Sequence, residues 1–322
     1  MKAIQFTQTG GPEVLTLTDV PTPSPGPGEV LIKLTAIGVN FIDTYHRSGL
    51  YPVTLPYVPG QEGAGTVAAL GPGVTGLSQG QRVAFTSHPG AYAEYVRVPA
   101  ERLVPVPNGL TDQQAAALLL QGMTAHYLAF DSYPIRPGDT VLVHAGAGGV
   151  GLLLTQLARM RGARVITTVS TPEKAHLSRA HGADDVIVYT ETDVAAEVKR
   201  LTGGVGVHAV YDSVGKSTFE GSLDSLRPLG SMVSFGNASG AVPPFSPLLL
   251  SQKGSIFFSR PTLGHFTATR SALLERATAV MNWVVEGRLK LTIQPPYALT
   301  DAAQAHRDLE SRGTTGKLLL LP

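Results

Sequence analysis

The stretch Thr140-Val-Leu-Val-His-Ala-Gly-Ala-Gly-Gly-Val-Gly151 decides the fold. A short apolar run, Val141 to Val143, stops at a glycine-rich turn. Val150 and Leu152 to Leu154 then open a helical pattern. Gly146, Gly148 and Gly151 have the spacing G-x-G-x-x-G, between a strand and a helix. In such a turn the first glycine permits the tight reversal. The second lets a pyrophosphate approach the backbone, and the third lets the helix lie close on the strand. Gly149 and Val150 stand at the helix N-terminus, where unpaired N–H groups and a positive dipole end suit phosphates.

Downstream and upstream of this turn the chain reads as six strand-like runs with helical patterns between most of them. They are Val141–His144, Arg164–Val169, Asp185–Tyr189, Val207–Tyr211, Ser231–Phe235 and Ser255–Ser259. That alternation predicts an α/β fold with a doubly wound parallel sheet of the Rossmann type. The segment between the last two runs, Gly236 to Lys253, is Pro-rich and only partly helical. Before it all, residues 1 to about 110 hold short strands between turn signals: Lys2–Thr7, Val14–Thr18, Val30–Ala36, Gly63–Leu70, Arg82–Phe85 and Ala93–Val98. Frequent glycines there suggest a partly open antiparallel barrel. Asn40–Arg47 reads as a short helix, and Thr111–Phe130 as a long one capped by Thr111 or Asp112. After the sheet, Ala268–Gly287 carries one broad apolar stripe at helical spacing. Thr300–Arg312 is a further helix, and Lys317–Leu321 a closing strand.

Composition narrows the function. A chain of 322 residues, 43% apolar and 15% charged, suits a globular protein of two domains. A net charge of +1 gives no electrostatic reason to expect nucleic acid or an anionic membrane as a partner. Cysteine is absent, which removes disulfides, thiolate nucleophiles and cysteine-ligated zinc. The N-terminus is strand-like and lacks the apolar core of a signal peptide, and no apolar run reaches the ~18 residues of a membrane span. The expected location is the cytoplasm.

The cofactor is read at the end of the second strand. An NAD site usually places an acid about 20 positions after the glycine turn, for the ribose 2′-OH. Here that strand ends Val165-Ile-Thr-Thr-Val-Ser170 with no acid, followed by Thr171-Pro-Glu-Lys174. Thr171 suits a cap and Pro172 the first helical position. A small Ser170 leaves room for a 2′-phosphate and Lys174 supplies a counter-charge, which favours NADPH. Glu173 is the rival reader of a 2′-OH, but it stands inside the helix rather than at the strand end.

Several further stretches, taken together, resemble the zinc-free medium-chain dehydrogenases/reductases, in their NADPH:quinone oxidoreductase (zeta-crystallin-like) branch. They are Gly38-Val-Asn-Phe-Ile-Asp43, Tyr45-His-Arg-Ser-Gly-Leu-Tyr51, Pro59-Gly-Gln-Glu-Gly-Ala-Gly65, His144–Gly151, Tyr211-Asp-Ser-Val-Gly215, Met232-Val-Ser-Phe-Gly-Asn237, Glu310-Ser-Arg312 and Gly316-Lys317. The family's zinc relatives carry a cysteine in the first of these segments, and a Gly-His-Glu where this chain has Gly60-Gln61-Glu62, so no metal is expected. None of the nine histidines shows a paired ligand spacing. His144, beside the glycine turn, reads as a hydrogen-bonded strand-end residue rather than a catalyst.

The resemblance implies a GroES-like domain of residues 1–123 plus 263–322, with the Rossmann domain, 124–262, inserted in it. The nicotinamide is then expected in a cleft that can exclude water, and pairing of the sixth strands is expected to give a homodimer. Residue by residue it implies that Asn40 holds the nicotinamide region and Thr124 contacts the cofactor. Ser170, Lys174, Tyr189 and Arg312 would surround the adenosine end. Ser213, Phe235, Gly236 and Asn237 would line the cofactor groove, and Tyr45 and Tyr51 would face the substrate. A neutral phenol can donate a hydrogen bond to a developing oxyanion, and its ring can stack on a flat ligand. The alternatives are a core position for Tyr45 and a plain surface position for Tyr51. The expected reaction is metal-free hydride transfer from NADPH to a quinone. The rivals are an NADPH-dependent enone or alkenal reductase, and a non-catalytic NADPH-binding protein, structural or RNA-associated.

Overall fold

The computed structural model describes all 322 residues, and they divide into two compact units, 1–123 with 267–322, and 124–266. In chain order the first unit opens with β1 (Lys2–Gln5), β2 (Thr16–Asp19), β3 (Glu29–Val39), α1 (Phe41–Ser48), β4 (Glu62–Leu70), β5 (Arg82–Thr86), β6 (Tyr95–Pro99) and β7 (Val104–Pro105). Helix α2 (Asp112–Tyr127) carries the division between the units. Thr111 caps it: its hydroxyl accepts from Gln114 N at 3.1 Å, and Gln114 Oε1 accepts from Thr111 N at 2.9 Å. The helix ends at Tyr127, short of the expected Phe130, in a π-turn at Leu128–Ser132.

The second unit runs through β8 (Thr140–Val143), α3 (Gly149–Met160), β9 (Arg164–Val169), α4 (Pro172–Ala180), β10 (Asp185–Val188), α5 (Val194–Leu201), β11 (Val207–Asp212), α6 (Phe219–Ser225), β12 (Leu226–Ser234), α7 (Leu248–Gln252), β13 (Phe257–Ser259) and α8 (Leu263–Phe266). The chain returns to the first unit with α9 (Arg270–Val285), β14 (Tyr297–Ala298), α10 (Ala302–Glu310) and β15 (Leu318–Leu321).

The second unit is the doubly wound sheet, six strands in the order β10-β9-β8-β11-β12-β13, every pairing parallel. Its strands are apolar because helices cover both faces of such a sheet. Leu142, Ile166, Val210 and Met232 are fully buried. The order reverses between β8 and β11, which makes the carboxyl ends of these strands the place where this architecture holds a ligand. The boundary expected at 262/263 falls at 266/267 instead. The physical reason is a ring pair: Phe266 stacks on Tyr127 with centroids 4.4 Å apart and planes 2° from parallel, which keeps α8 with the second unit.

The first unit is organised on β3. One edge pairs with β4. The other is shared, Glu29–Lys33 pairing with β6 and Ile37–Val39 with β15, all antiparallel. Register shifts against β4 at Leu31/Ile32 and Leu34/Ala36 bend the strand, so two partners can follow one edge. β7 and β14, two residues each, were too short to show as a period-two pattern in the sequence.

Candidate active site

The glycine turn is built as the sequence suggests, with one difference in where the strain lies. The residue with positive φ is Ala145 (52°), not Gly146. Gly146 is required by packing: a Cβ there would lie 2.5 Å from the Thr167 Cβ on β9. A Cβ on Gly151 would collide with the Ala145 carbonyl, and one on Gly148 would crowd it at 3.2 Å. Gly148 is the N-cap of α3 and has no side chain to bond the first-turn N–H groups. The helix therefore presents donors and a positive dipole end behind a backbone with no Cβ at its nearest points, a cradle that fits a dinucleotide pyrophosphate.

The other carboxyl ends of the sheet add to this edge. Tyr189 follows β10, and its N–H bonds the Val169 carbonyl at 3.0 Å, beside Ser170. Thr171 caps α4, accepting from Lys174 N at 3.3 Å, with Pro172 at the first position, so Lys174 stands in the first turn. Glu173 is fully exposed. Its carboxyl is held below the usual carboxylate range by backbone and Thr171 hydrogen bonds of its own turn. Phe235 N bonds the Asp212 carbonyl at 2.8 Å, and Ala238 N bonds that of Ser213 at 3.2 Å. A Cβ on Gly236 would collide with Ser213 O, so Ser213, Phe235, Gly236 and Asn237 do converge. Thr124 is buried within α2. Arg312 belongs to the first unit, between α10 and β15, at φ 60°.

His144 is buried and its ring is used on both sides. Ser222 Oγ donates to Asp212 Oδ2 at 2.8 Å, so it accepts from His144 Nε2 at 3.0 Å. Nδ1 then accepts from the Thr168 hydroxyl at 2.9 Å. Burial pushes the imidazole pKa down, so it is neutral and structural.

In the first unit the expected residues lie on and around α1. Asn40 is its N-cap, and Asp43 Oδ2 accepts from Asn40 N at 2.9 Å. Gly49 ends the helix at φ 84°, and Tyr51 N reaches back to Tyr45 O at 3.0 Å. That turn brings the Tyr45 and Tyr51 rings edge to face, with centroids 5.3 Å apart. Tyr45 is buried, and Tyr51 half-buried.

The Asn40 side chain is engaged inside the domain. Its Nδ2 donates to Glu62 Oε2 at 3.0 Å and to Gly38 O at 3.3 Å, and its Oδ1 accepts from Lys317 Nζ at 2.7 Å. Lys317 also donates to Glu62 Oε2 at 2.6 Å, and Glu62 Oε1 accepts from Leu120 N at 2.6 Å. Extending the sheet register by one pair sets Lys317 opposite Asn40 and Glu62 opposite Gly38. A Cβ on Gly38 would lie 2.5 Å from the Ala116 carbonyl and would displace the Glu62 carboxylate, so glycine is required there. Sequence reasoning missed this buried pair because its members are far apart in the chain.

A second buried chain was also missed. Arg47 bonds both Glu310 oxygens, at 3.0 and 2.8 Å, and donates to His306 Nδ1 at 3.0 Å. His306 Nε2 therefore carries a proton and donates to the Tyr92 hydroxyl at 3.0 Å, which donates to Asp43 Oδ2 at 3.2 Å. Burial pushes Asp43 up to about 7. Burial and the neighbouring Arg47 push His306 down to about 3.

A zinc ion does not fit this donor set. Gln61 stands before Glu62 and bonds the Tyr57 hydroxyl at 3.2 Å, and Glu62 is occupied by three hydrogen bonds. No group of three His, Cys, Asp or Glu residues is placed to hold a metal.

A parallel dinucleotide sheet joined to a β3-centred barrel-like sheet, with a glycine cradle at the switch point, defines a two-domain dehydrogenase or reductase. The comparisons agree. Residues 26–108 match the alcohol dehydrogenase GroES-like domain, and 149–282 the zinc-binding dehydrogenase domain. The chain is 48% identical to the quinone oxidoreductase of Pseudomonas aeruginosa, over 100% of this chain and 99% of that one. It is 43% identical to the 2-haloacrylate reductase of Burkholderia sp, over 97% and 96%. The crystal structure of Escherichia coli quinone oxidoreductase complexed with NADPH superposes with a TM-score of 0.98, at 42% identity and 100% coverage of both chains. The chain belongs to the medium-chain dehydrogenase/reductase family, in its quinone oxidoreductase branch.

Proposed function

We propose that the protein is an NADPH-dependent quinone oxidoreductase, converting a quinone, NADPH and a proton to a hydroquinone and NADP⁺. The observation that carries this is the uncapped α3 N-terminus behind Gly146, Gly148 and Gly151, in a chain similar over its whole length to a quinone oxidoreductase solved with NADPH. When bound, the cofactor supplies the hydride. The second unit holds it: Gly148, Gly149, Val150 and Gly151 at the pyrophosphate, Ser170, Lys174 and Tyr189 at the adenosine ribose, and Ser213, Phe235, Gly236 and Asn237 along the groove. Thr124, Arg312 and Asn40 complete its binding. Tyr45 and Tyr51 bind the flat acceptor. A quinone is already a good electron acceptor, so positioning and hydrogen bonds suffice without a metal.

Reduction of a polarised double bond is the second reading, favoured by the likeness to a 2-haloacrylate reductase. Steady-state assays with NADPH and 1,4-benzoquinone, 9,10-phenanthrenequinone, a 2-alkenal, 2-cyclohexenone and 2-chloroacrylate separate the two. A kcat/KM for both quinones at least about 100-fold above the others is the expected result, and the reverse order would overturn the assignment.

The same proposal includes a homodimer through β13 and a cytoplasmic location. β13 is the edge of the six-stranded sheet, and Phe257 on it is 65% exposed, an apolar edge that a second copy would cover. Sedimentation of wild type and Phe257→Asp tests the dimer, and fractionation of cells tests the location.

A further inference from the structure

Two polar groups beside the Tyr45–Tyr51 pair have no role in the reading above. His46, on α1, packs edge to face against Tyr51 (6.1 Å, 61°) and Tyr57 (5.7 Å, 62°). Its Nδ1 is buried and has no hydrogen-bond partner. A buried polar atom left unpaired is costly and calls for an explanation. Burial pushes the imidazole pKa down, so at neutral pH the ring is uncharged and one nitrogen carries a proton.

The second group is the Tyr57 hydroxyl. It accepts from Gln61 Nε2 at 3.2 Å, while its own proton meets no acceptor in the protein. Burial and the Asp43 carboxyl push the phenol up to about 12, so the proton stays on. The residue is held firmly. Its backbone bonds Phe6 in both directions at 3.0 Å, and its ring packs on Phe6 with centroids 5.5 Å apart. Gln61 is itself buried. An orphaned imidazole nitrogen and a phenol with a spare proton thus meet within one aromatic cluster, Phe41, Tyr45, His46, Tyr51 and Tyr57, each ring touching the next.

We propose that Tyr57 and His46 form the oxygen-recognition subsite for the acceptor, the Tyr57 O–H and the His46 Nδ1–H donating to a quinone carbonyl whose ring lies against the neighbouring tyrosines. Gln61 is the positioning residue that orients the phenol. The site discriminates because a donor with no partner is satisfied by a carbonyl oxygen and by nothing on an unsubstituted arene. The subsite rests on the quinone reading, since it takes the acceptor to be an aromatic carbonyl compound.

The test is binding without turnover. 1,4-Naphthoquinone and naphthalene, alike in ring shape, are titrated calorimetrically into the NADP⁺-loaded protein, for wild type, Tyr57→Phe, His46→Phe and His46→Asn. Wild type should prefer the naphthoquinone, and Tyr57→Phe and His46→Phe should each reduce that preference about tenfold, the loss of one neutral hydrogen bond. His46→Asn places an amide N–H near the Nδ1 position and should recover it to within about threefold. NADP⁺ affinity should stay within about twofold throughout. Wild-type preference in both Phe variants overturns the subsite, as does an Asn variant no better than Phe. A preference that collapses as expected in a protein that turns over no quinone supports the subsite and refutes the oxidoreductase reading. Quinone turnover with the preference intact in both Phe variants does the opposite. Tyr57→Phe keeps the ring and its packing, so it decides the matter if His46→Phe fails to fold.

Discussion

The Lys317 ammonium lies 2.6 Å from the Glu62 carboxylate, both side chains sealed from solvent, with the Asn40 amide bonded to each. Removing one partner of such a pair strands an uncompensated buried charge. Lys317→Met should therefore destabilise the protein by about 3–5 kcal/mol in urea unfolding. The Lys317→Met/Glu62→Leu double variant should cost less than the sum of the single ones. Strict additivity would show that the two groups do not act as a pair.

Ser170 and Lys174 stand where an NAD enzyme places an acid. A charge-assisted contact to a phosphate is worth roughly 1.5–3 kcal/mol, or about 10- to 150-fold in affinity. Lys174→Ala should weaken NADPH binding by such a factor and NADH binding hardly at all. Raising the salt should narrow the wild-type gap between the cofactors. Equal losses for the two would mean that Lys174 does not read the 2′-phosphate.

Asp43 and His306 flank Tyr92 and pull stability in opposite directions with pH. An unfolded Asp loses its proton near ~3.9, whereas Asp43 in the fold keeps it to about 7. Its contribution is complete below about pH 4 and is lost as the pH rises through 7. His306, held down at about 3, contributes fully above about pH 6.5, and that is lost as the pH falls toward 3. Asp43→Asn removes the first effect alone. Between pH 5 and pH 8 the wild type should lose on the order of 2–3 kcal/mol relative to this variant, at about 1.4 kcal/mol per pH unit separating the two pKa values. Parallel stability curves would mean that Asp43 does not titrate in that range.

Turnover should not depend on a metal. The donor set around Gln61 and Glu62 is spent on hydrogen bonds. Strong chelators should leave kcat and KM unchanged, and purified protein should hold well under one zinc per chain. Chelator-sensitive activity restored by zinc would contradict this.

The contacting Tyr45 and Tyr51 rings have separable roles in the proposed acceptor site. Tyr51→Phe should lower kcat modestly, by about 5-fold if its hydroxyl serves a developing oxyanion. Tyr45→Ala should mainly raise the quinone KM, through lost stacking area. NADPH affinity should stay within a few-fold in both. Wild-type quinone kinetics in both variants would remove these residues from the acceptor site.

Local signals made the second unit legible in the sequence. Strand and helix patterns alternate over short spans, so the parallel sheet, the glycine turn and the Thr171-Pro172 helix start all follow from neighbours in the chain. The missing cysteine and the Gln61 beside Glu62 were equally readable, because they concern which atoms exist. Tertiary structure alone decided the rest. Only the folded turn shows Ala145 taking the positive φ while Gly146 yields to Thr167, since that choice depends on the next strand. Lys317 meets Glu62 across 255 residues, and His306 meets Tyr92 across 214. No periodicity links such positions: the ends of β3, β4 and β15 bring the first pair together, and α10 meeting the segment before β6 brings the second. The orphaned His46 nitrogen and the spare Tyr57 proton are of the same kind: a side chain's lack of a partner exists only once every other group has found one.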